Sequence, residues 1–308
     1  MNYLKLIRFQ NLILLAAMQL VLHFGFLKFQ NIPLGLSNFN AFLLALTTVC
    51  IAAGGYIINN IMDVETDAIN CPKKVVVGTL ISEAKAYNIY MAFTFTGVAI
   101  GFYLANLINK PGFAAMFIVI AATLYFYAVN LKQSLLIGNI LVALLLSFSI
   151  LIVGIFDLLP VTDTANQPIM GMYFKIVIDY AFFGFLLNFI REIVKDLEDY
   201  DGDANEGMQT LPIVLGISRT TKLVFVVSFL PIIAVLYYLN MYVFSNKLII
   251  STLYCLIFIL APLLYFTVKI WSAKTKSDFS QLSLLLKWIV FFGVVSIGII
   301  SYNILHHA

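Results

Sequence analysis

Nine runs of about 20 mostly apolar residues, separated by short polar breaks, constrain this chain more than any other feature. A helix of that length crosses a hydrocarbon core of about 30 Å. The runs lie near residues 10–27, 41–61, 87–107, 112–130, 134–156, 173–190, 223–244, 248–268 and 288–305. They are continuously apolar, not alternating, which favours helices over barrel strands. With 62% hydrophobic and 11% charged residues and a mean hydropathy of +0.99, no water-soluble protein of 308 residues could bury so much apolar surface. The same excess excludes disorder. Three cysteines, Cys50, Cys71 and Cys255, are too few and too scattered for a disulfide scaffold. A net charge of +3 gives no basis for nucleic-acid binding. The expected class is an all-α polytopic membrane protein forming a single transmembrane domain over 1–308. The first run follows Lys5 and Arg8 without a convincing small-residue cleavage site, and is read as a retained anchor.

Charge bias orients the spans. With the N-terminus in the cytoplasm, 14 of the 18 Lys and Arg residues fall inside, and only Lys28, Lys110, Lys175 and Lys247 fall outside. Nine spans then place His306 and His307 on the far side as a solvated tail. The location expected is a cytoplasmic or inner membrane.

The acids are not scattered. Of 15 Asp and Glu residues, seven lie between Glu192 and Glu206 and three between Asp63 and Asp67, at the cytoplasmic ends of the sixth and second spans. Asn59, Asp63 and Asp67 recur every four residues and predict one polar stripe on a helix. Asp196, Asp199 and Asp203 fall within about 60° of one another at 100° per residue, and Asn188 and Glu192 extend that face toward the membrane. Asp179, near the far end of the sixth span, reads as an interfacial acid.

Stacked like charges destabilise a helix unless something positive lies between them. A hard divalent cation answers that need, and Mg²⁺ prefers a few carboxylate oxygens together with phosphate oxygens. Two such helices facing one another across a cytoplasmic cavity would hold Mg²⁺ bridging a diphosphate. Either cluster alone could be a solvated helix end; both, at corresponding places in the chain, point to a site.

The pair of motifs resembles that of the UbiA superfamily of intramembrane prenyltransferases, N-D-x-x-D-x-x-x-D and D-x-x-x-D, here Asn59-x-x-x-Asp63-x-x-x-Asp67 and Asp199-x-x-x-Asp203. The segment from Lys195 to Asp203 and the later Thr210-Leu211-Pro212 are most similar to the archaeal-type digeranylgeranylglyceryl phosphate synthase branch. Leu6 to Asn11, Asp67 to Asn70, and Tyr127 to Lys132 with Gly138-Asn139 fit the same branch. Three positions depart from the pattern. Asn60 stands where the family has Asp, Cys71 replaces an Arg, and Lys73-Lys74-Val75 replaces an Arg-Pro segment.

The resemblance implies a nine-helix bundle of two related halves with its active-site cavity on the cytoplasmic side. It implies a Mg²⁺-dependent transfer from a prenyl diphosphate to a lipid-soluble acceptor. Asp63, Asp67, Asp199 and Asp203 would be catalytic, and with Asp196 would hold the metal. Asn59, Lys74, Lys132 and Lys195 would meet the diphosphate, and Arg8 with Asn11 a phosphorylated acceptor. The 27 Phe and 16 Tyr residues supply ample wall for an isoprenoid slot. Surrounding membrane lipid is expected, and neither nucleic acid nor an obligate protein partner. An aromatic-ring prenyltransferase of quinone synthesis would share the same diphosphate half-site. A cation transporter would place its acids at the bilayer midplane instead. A phosphatidyl-alcohol transferase would need Ala-Arg after Asp201-Gly202, which is absent.

Overall fold

The computed structural model describes residues 2–70 and 75–306, apart from the side chains of Thr66 and Asn70. Among them are nine helices long and apolar enough to cross a membrane: α1 (Phe9–Gln30), α2 (Asn38–Met62), α3 (Glu83–Leu107), α4 (Pro111–Val129), α5 (Ile137–Val161), α6 (Gln167–Glu198), α7 (Ile217–Phe244), α8 (Ile249–Ser272) and α9 (Lys276–His306). Four shorter helices, Asn2–Leu6, Val64–Asn70, Tyr200–Asn205 and Leu211–Leu215, flank the ends that carry the acids. Backbone polar groups in hydrocarbon have no water to bond, so the helix satisfies them within each span. Side chains add local stops and starts: the Ser37 hydroxyl accepts from the Asn40 N–H (3.3 Å) at the head of α2.

Several helices outrun their apolar segments. α6 has 32 residues, about 48 Å at 1.5 Å per residue, against a core of about 30 Å. Its apolar run ends near residue 190, but the helix continues through Arg191–Glu198, where Lys195 and Glu192 pair one turn apart. The excess length carries charged side chains out of the hydrocarbon while keeping them on a rigid element.

α2 packs most extensively on α3, and α5 on α6. α9 packs against both α6 and α1 and closes the bundle. The α2–α3–α4 contact depends on glycines: a Cβ on Gly101 would lie 2.3 Å from Phe117 Cδ2, and one on Gly97 would lie 2.7 Å from Ile51 Cγ1. One apolar core joins α6–α9 around Phe266, Phe279 and Leu286. A second joins α1–α6 around Phe117 and Phe156. A third, smaller one sets Leu6 against Ile57 and Ile58 near the acid end of α2. Outward faces are apolar as well, as at Phe95, Val119 and Val268, which suits a lipid surround. Cys50 and Cys255 are buried free thiols.

Candidate active site

Each acid motif is built on a bend. α2 ends at Met62, Asp63 sits at φ −99° and ψ 14°, and the chain resumes as the helix Val64–Asn70. α6 ends at Glu198, Asp199 sits at φ −96° and ψ 8°, and the chain resumes as Tyr200–Asn205. Both aspartates occupy the sparsely populated bridge region between helix and strand. The sequence spacing predicts unbroken stripes; the structure bends each at its central Asp. Four-residue bonding nevertheless runs through both bends. Asp63 N–H donates to Asn59 C=O (2.9 Å) and Asp67 N–H to Asp63 C=O (2.8 Å). Asp199 N–H donates to Lys195 C=O (2.8 Å) and Asp203 N–H to Asp199 C=O (3.1 Å). The acids of each motif keep their common side while the two short helices turn to pack on one another.

Between the bends lies a cavity of about 280 Å³. Its polar part takes Arg8, Asn11 and Asn59, with Asp63, Asp67 and Lys132, then Lys195, Asp196, Asp199 and Asp203. Its apolar part runs down between α2, α4 and α5 along Phe117, Leu124, Leu146 and Phe148. Lys132 comes from the turn Leu131–Gln133, which is held by Gln209 N–H donating to Gln133 C=O (3.0 Å). Its ammonium forms an ion pair with Asp63. Asp196 accepts from the Asn139 amide (2.7 Å). Lys195 bonds both Glu192 oxygens (2.9 and 3.1 Å), and Arg191 bonds one (3.3 Å). Arg8, in left-handed backbone at φ 48°, places its guanidinium 5.3 Å from the centre of the Tyr56 ring.

The electrostatics show an excess of carboxylate. Burial first, and the Asp199 carboxylate second, push Asp203 up to about 7. Asp199 is also raised, chiefly by burial, with Glu198 and Asp67 adding to the effect against Lys195 and Lys276. Asp67 therefore acts on Asp199 across the cavity. Burial lowers the Lys132 ammonium, while Glu206 and Asp203 oppose that shift. Among the described residues no three carboxyl or imidazole groups converge as a self-sufficient metal cage. Asn59 Oδ1 is buried without a hydrogen-bond partner. Opposed acids and an orphaned amide oxygen fit a hard cation that brings phosphate oxygens of its own.

The structure brings together every candidate residue singled out from the sequence except Lys74, which lies outside the described residues. Asn11 reaches the cavity wall but also accepts from Lys287 (2.7 Å). Asn60, the departure from the N-D pair, does not line the cavity. Its amide donates to Tyr56 C=O (2.7 Å) and Leu6 C=O (3.1 Å), which an aspartate could not do. Sequence reasoning missed Tyr127 and Arg191 as lining residues, and Lys287 as a partner of Asn11. Arg191 and Lys287 looked like positive-inside residues, and no local pattern marks the partners they meet.

The model of the UbiA prenyltransferase family matches residues 12–295. A digeranylgeranylglyceryl phosphate synthase of Saccharolobus solfataricus is 34% identical over 222 residues, 72% of this chain and 71% of that one. The apo structure of a UbiA homologue from Aeropyrum pernix superposes with a TM-score of 0.68 at 15% identity, covering 94% of this chain and 97% of that one. A UbiA homologue from Archaeoglobus fulgidus, bound to DMAPP and Mg²⁺, superposes with a TM-score of 0.58 at 18% identity, covering 96% and 99%.

Proposed function

Because the chain belongs to the UbiA prenyltransferase family, we propose that it transfers a geranylgeranyl group from its diphosphate to the hydroxyl of a prenylated glyceryl phosphate. The observation that carries this reading is the meeting of two acid bends at one cavity whose depth is apolar. The polar part suits a diphosphate and the apolar part its chain. The name of the 34%-identical relative supports the glycerol-lipid acceptor.

In this reading Asp63 and Asp67 would hold Mg²⁺ from one side, and Asp196, Asp199 and Asp203 from the other. Bound there, Mg²⁺ would supply positive charge to the departing diphosphate. Lys132 exchanges Asp63 for a diphosphate oxygen, and Lys195 and Asn59 complete the polar cradle. Lys74 is retained as a further cation for the diphosphate, on the sequence alone. Arg8 and Asn11 face the acceptor at the mouth. Phe117 and Phe148 line the slot for the donor chain and keep water from the allylic centre as its C1–O bond weakens. The weight of Lys and Arg on this side of the sequence supports a cavity that opens to the cytoplasm.

The test supplies purified protein with Mg²⁺ and geranylgeranyl diphosphate, and offers geranylgeranylglyceryl phosphate and a hydroxybenzoate in parallel, with an EDTA control. Metal-dependent product from the glyceryl phosphate is expected. Asp63→Ala and Asp199→Ala should each lower turnover by about a hundredfold to a thousandfold while the protein stays folded in detergent. Product from the aromatic acid alone would move the acceptor to a ring carbon, and near-normal activity of either variant would remove the metal assignment.

A further inference from the structure

A second chamber, of about 150 Å³, lies beside the first between α1, α6 and α9. The two share a wall that includes Asn11, Tyr56, Leu146 and Arg191. Its body is apolar, with Met18, Phe183, Leu187 and Val294 among its lining. A third, smaller hollow continues it toward α7 and α8 through Tyr180, Phe183, Leu187 and Gly293. Gly293 opens that junction, since a Cβ there would meet nothing within 4 Å.

Cations gather only at the end next to the active site. Lys287 holds its ammonium against a neutral partner, the Asn11 amide oxygen, 2.7 Å away. Arg191 gives one nitrogen to Glu192 (3.3 Å), and its Nε is buried without a partner. An unmatched positive charge and an orphaned donor above an apolar slot suit an amphiphile with an anionic head. The donor's diphosphate belongs in the first cavity, because the carboxylates that need a cation line that cavity and not this one.

We propose that the second chamber is the acceptor-lipid site: Lys287 and Arg191 take the phosphate, and the slot between α1, α6 and α9 takes the isoprenoid chain. This rests on the glyceryl phosphate reading above and deepens it. The headgroup then lies at the shared wall, with its free hydroxyl facing the donor carbon. The acceptor oxygen bonds to donor C1 as the bond from C1 to the diphosphate oxygen breaks. The diphosphate leaves with the bonding pair, and the hydroxyl proton passes to one of its oxygens. Two chains thus enter from separate slots, and only donor C1 and the acceptor's glycerol oxygen meet, which keeps donor and acceptor from competing for a single tunnel.

The test compares wild type, Lys287→Met, Lys287→Arg and Gly293→Leu, with geranylgeranyl diphosphate and Mg²⁺ throughout. The acceptors are geranylgeranylglyceryl phosphate and its dephosphorylated counterpart, geranylgeranylglycerol. Lys287→Met should raise KM for the phosphorylated acceptor by roughly tenfold or more. The dephosphorylated acceptor and donor KM should move less than about twofold, and Lys287→Arg should restore most of the loss. Gly293→Leu fills the junction and should depress use of both acceptors, while binding of a thiolodiphosphate analogue of the donor is unchanged. If wild type transfers to the glyceryl phosphate but Lys287→Met leaves its KM unmoved, or moves both acceptors equally, the chamber assignment is wrong and the functional reading stands. If wild type uses neither glycerol lipid, the functional reading falls and takes the assignment with it.

Discussion

Asp203 is 6% exposed and carries a carboxyl raised to about 7 by burial and by Asp199. Without ligand, it therefore keeps its proton at pH values below about 7. A metal-bound diphosphate needs the anion, so binding must expel that proton, and the cost grows as pH falls. Affinity for Mg²⁺ with inorganic diphosphate should weaken by up to tenfold per pH unit below about 7 and level off above it. Calorimetry at pH 6 in two buffers of different ionisation heat should register the proton released. Asp203→Asn should reduce both the release and the slope below pH 7, leaving only what Asp199 and the diphosphate itself contribute; a release and slope equal to those of wild type would place the titrating group elsewhere. At this same scale the sequence was informative about acids and silent about their partners. Spacing of three and four residues put the aspartates on one face of each helix, because helical geometry is local. Nothing local joins Lys132 to Asp63 or Lys287 to Asn11, pairs separated by 69 and 276 residues.

At the scale of elements, the end of the bundle away from the acids is fastened by a buried polar cluster between α1 and α5. His23 Nδ1 and Asp157 Oδ2 are 2.7 Å apart, and the two side chains are 2% and 0% exposed. The other Asp157 oxygen accepts from the Leu36 N–H (3.3 Å), and Gln19 donates to Ser149 C=O (2.7 Å). Asp157→Leu should leave the His23 Nδ1 and the Leu36 N–H without their partner, at about 1–3 kcal/mol each. Its melting temperature in detergent should fall by several degrees. A His23→Leu/Asp157→Leu double variant should recover part of that loss, because it removes both ends of the bond. A double variant no more stable than the single would show that the pair is not what is lost. Element lengths were only partly legible. The apolar runs marked where hydrocarbon is crossed, but α6 and α9 run on as helices of 32 and 31 residues. Intrahelical bonding and one-turn ion pairs sustain a helix after its residues cease to be apolar.

For the whole molecule, the functional question is which face of the membrane the cavity serves. Lys274 and Lys247 are exposed on connections assigned to opposite sides. Single reporter cysteines at these positions, in a cysteine-depleted background, should respond oppositely to a membrane-impermeant maleimide added to intact cells. Lys247→Cys should be labelled and Lys274→Cys should not; the reverse pattern would turn the cavity outward. The packing of α9 on both α1 and α6 gives the second chamber its wall. A chamber closed by the last span against the first has no counterpart in any stretch of sequence.

The sequence by itself determined a nine-helix membrane bundle and the two ends at which its acids collect. Both follow from local rules: a polar backbone in hydrocarbon must bond within its own helix, and uncompensated carboxylates on one helical face need a cation. Tertiary structure alone decided that Asp63 and Asp199 sit at bends, that Asn60 turns away to hold Leu6 and Tyr56, and that Lys132 meets Asp63. It also decided that Arg191 and Lys287 stand over a second slot. Those outcomes depend on which helices pack side by side, and packing is settled by side-chain shape across the whole bundle, not by the order of residues along any one span.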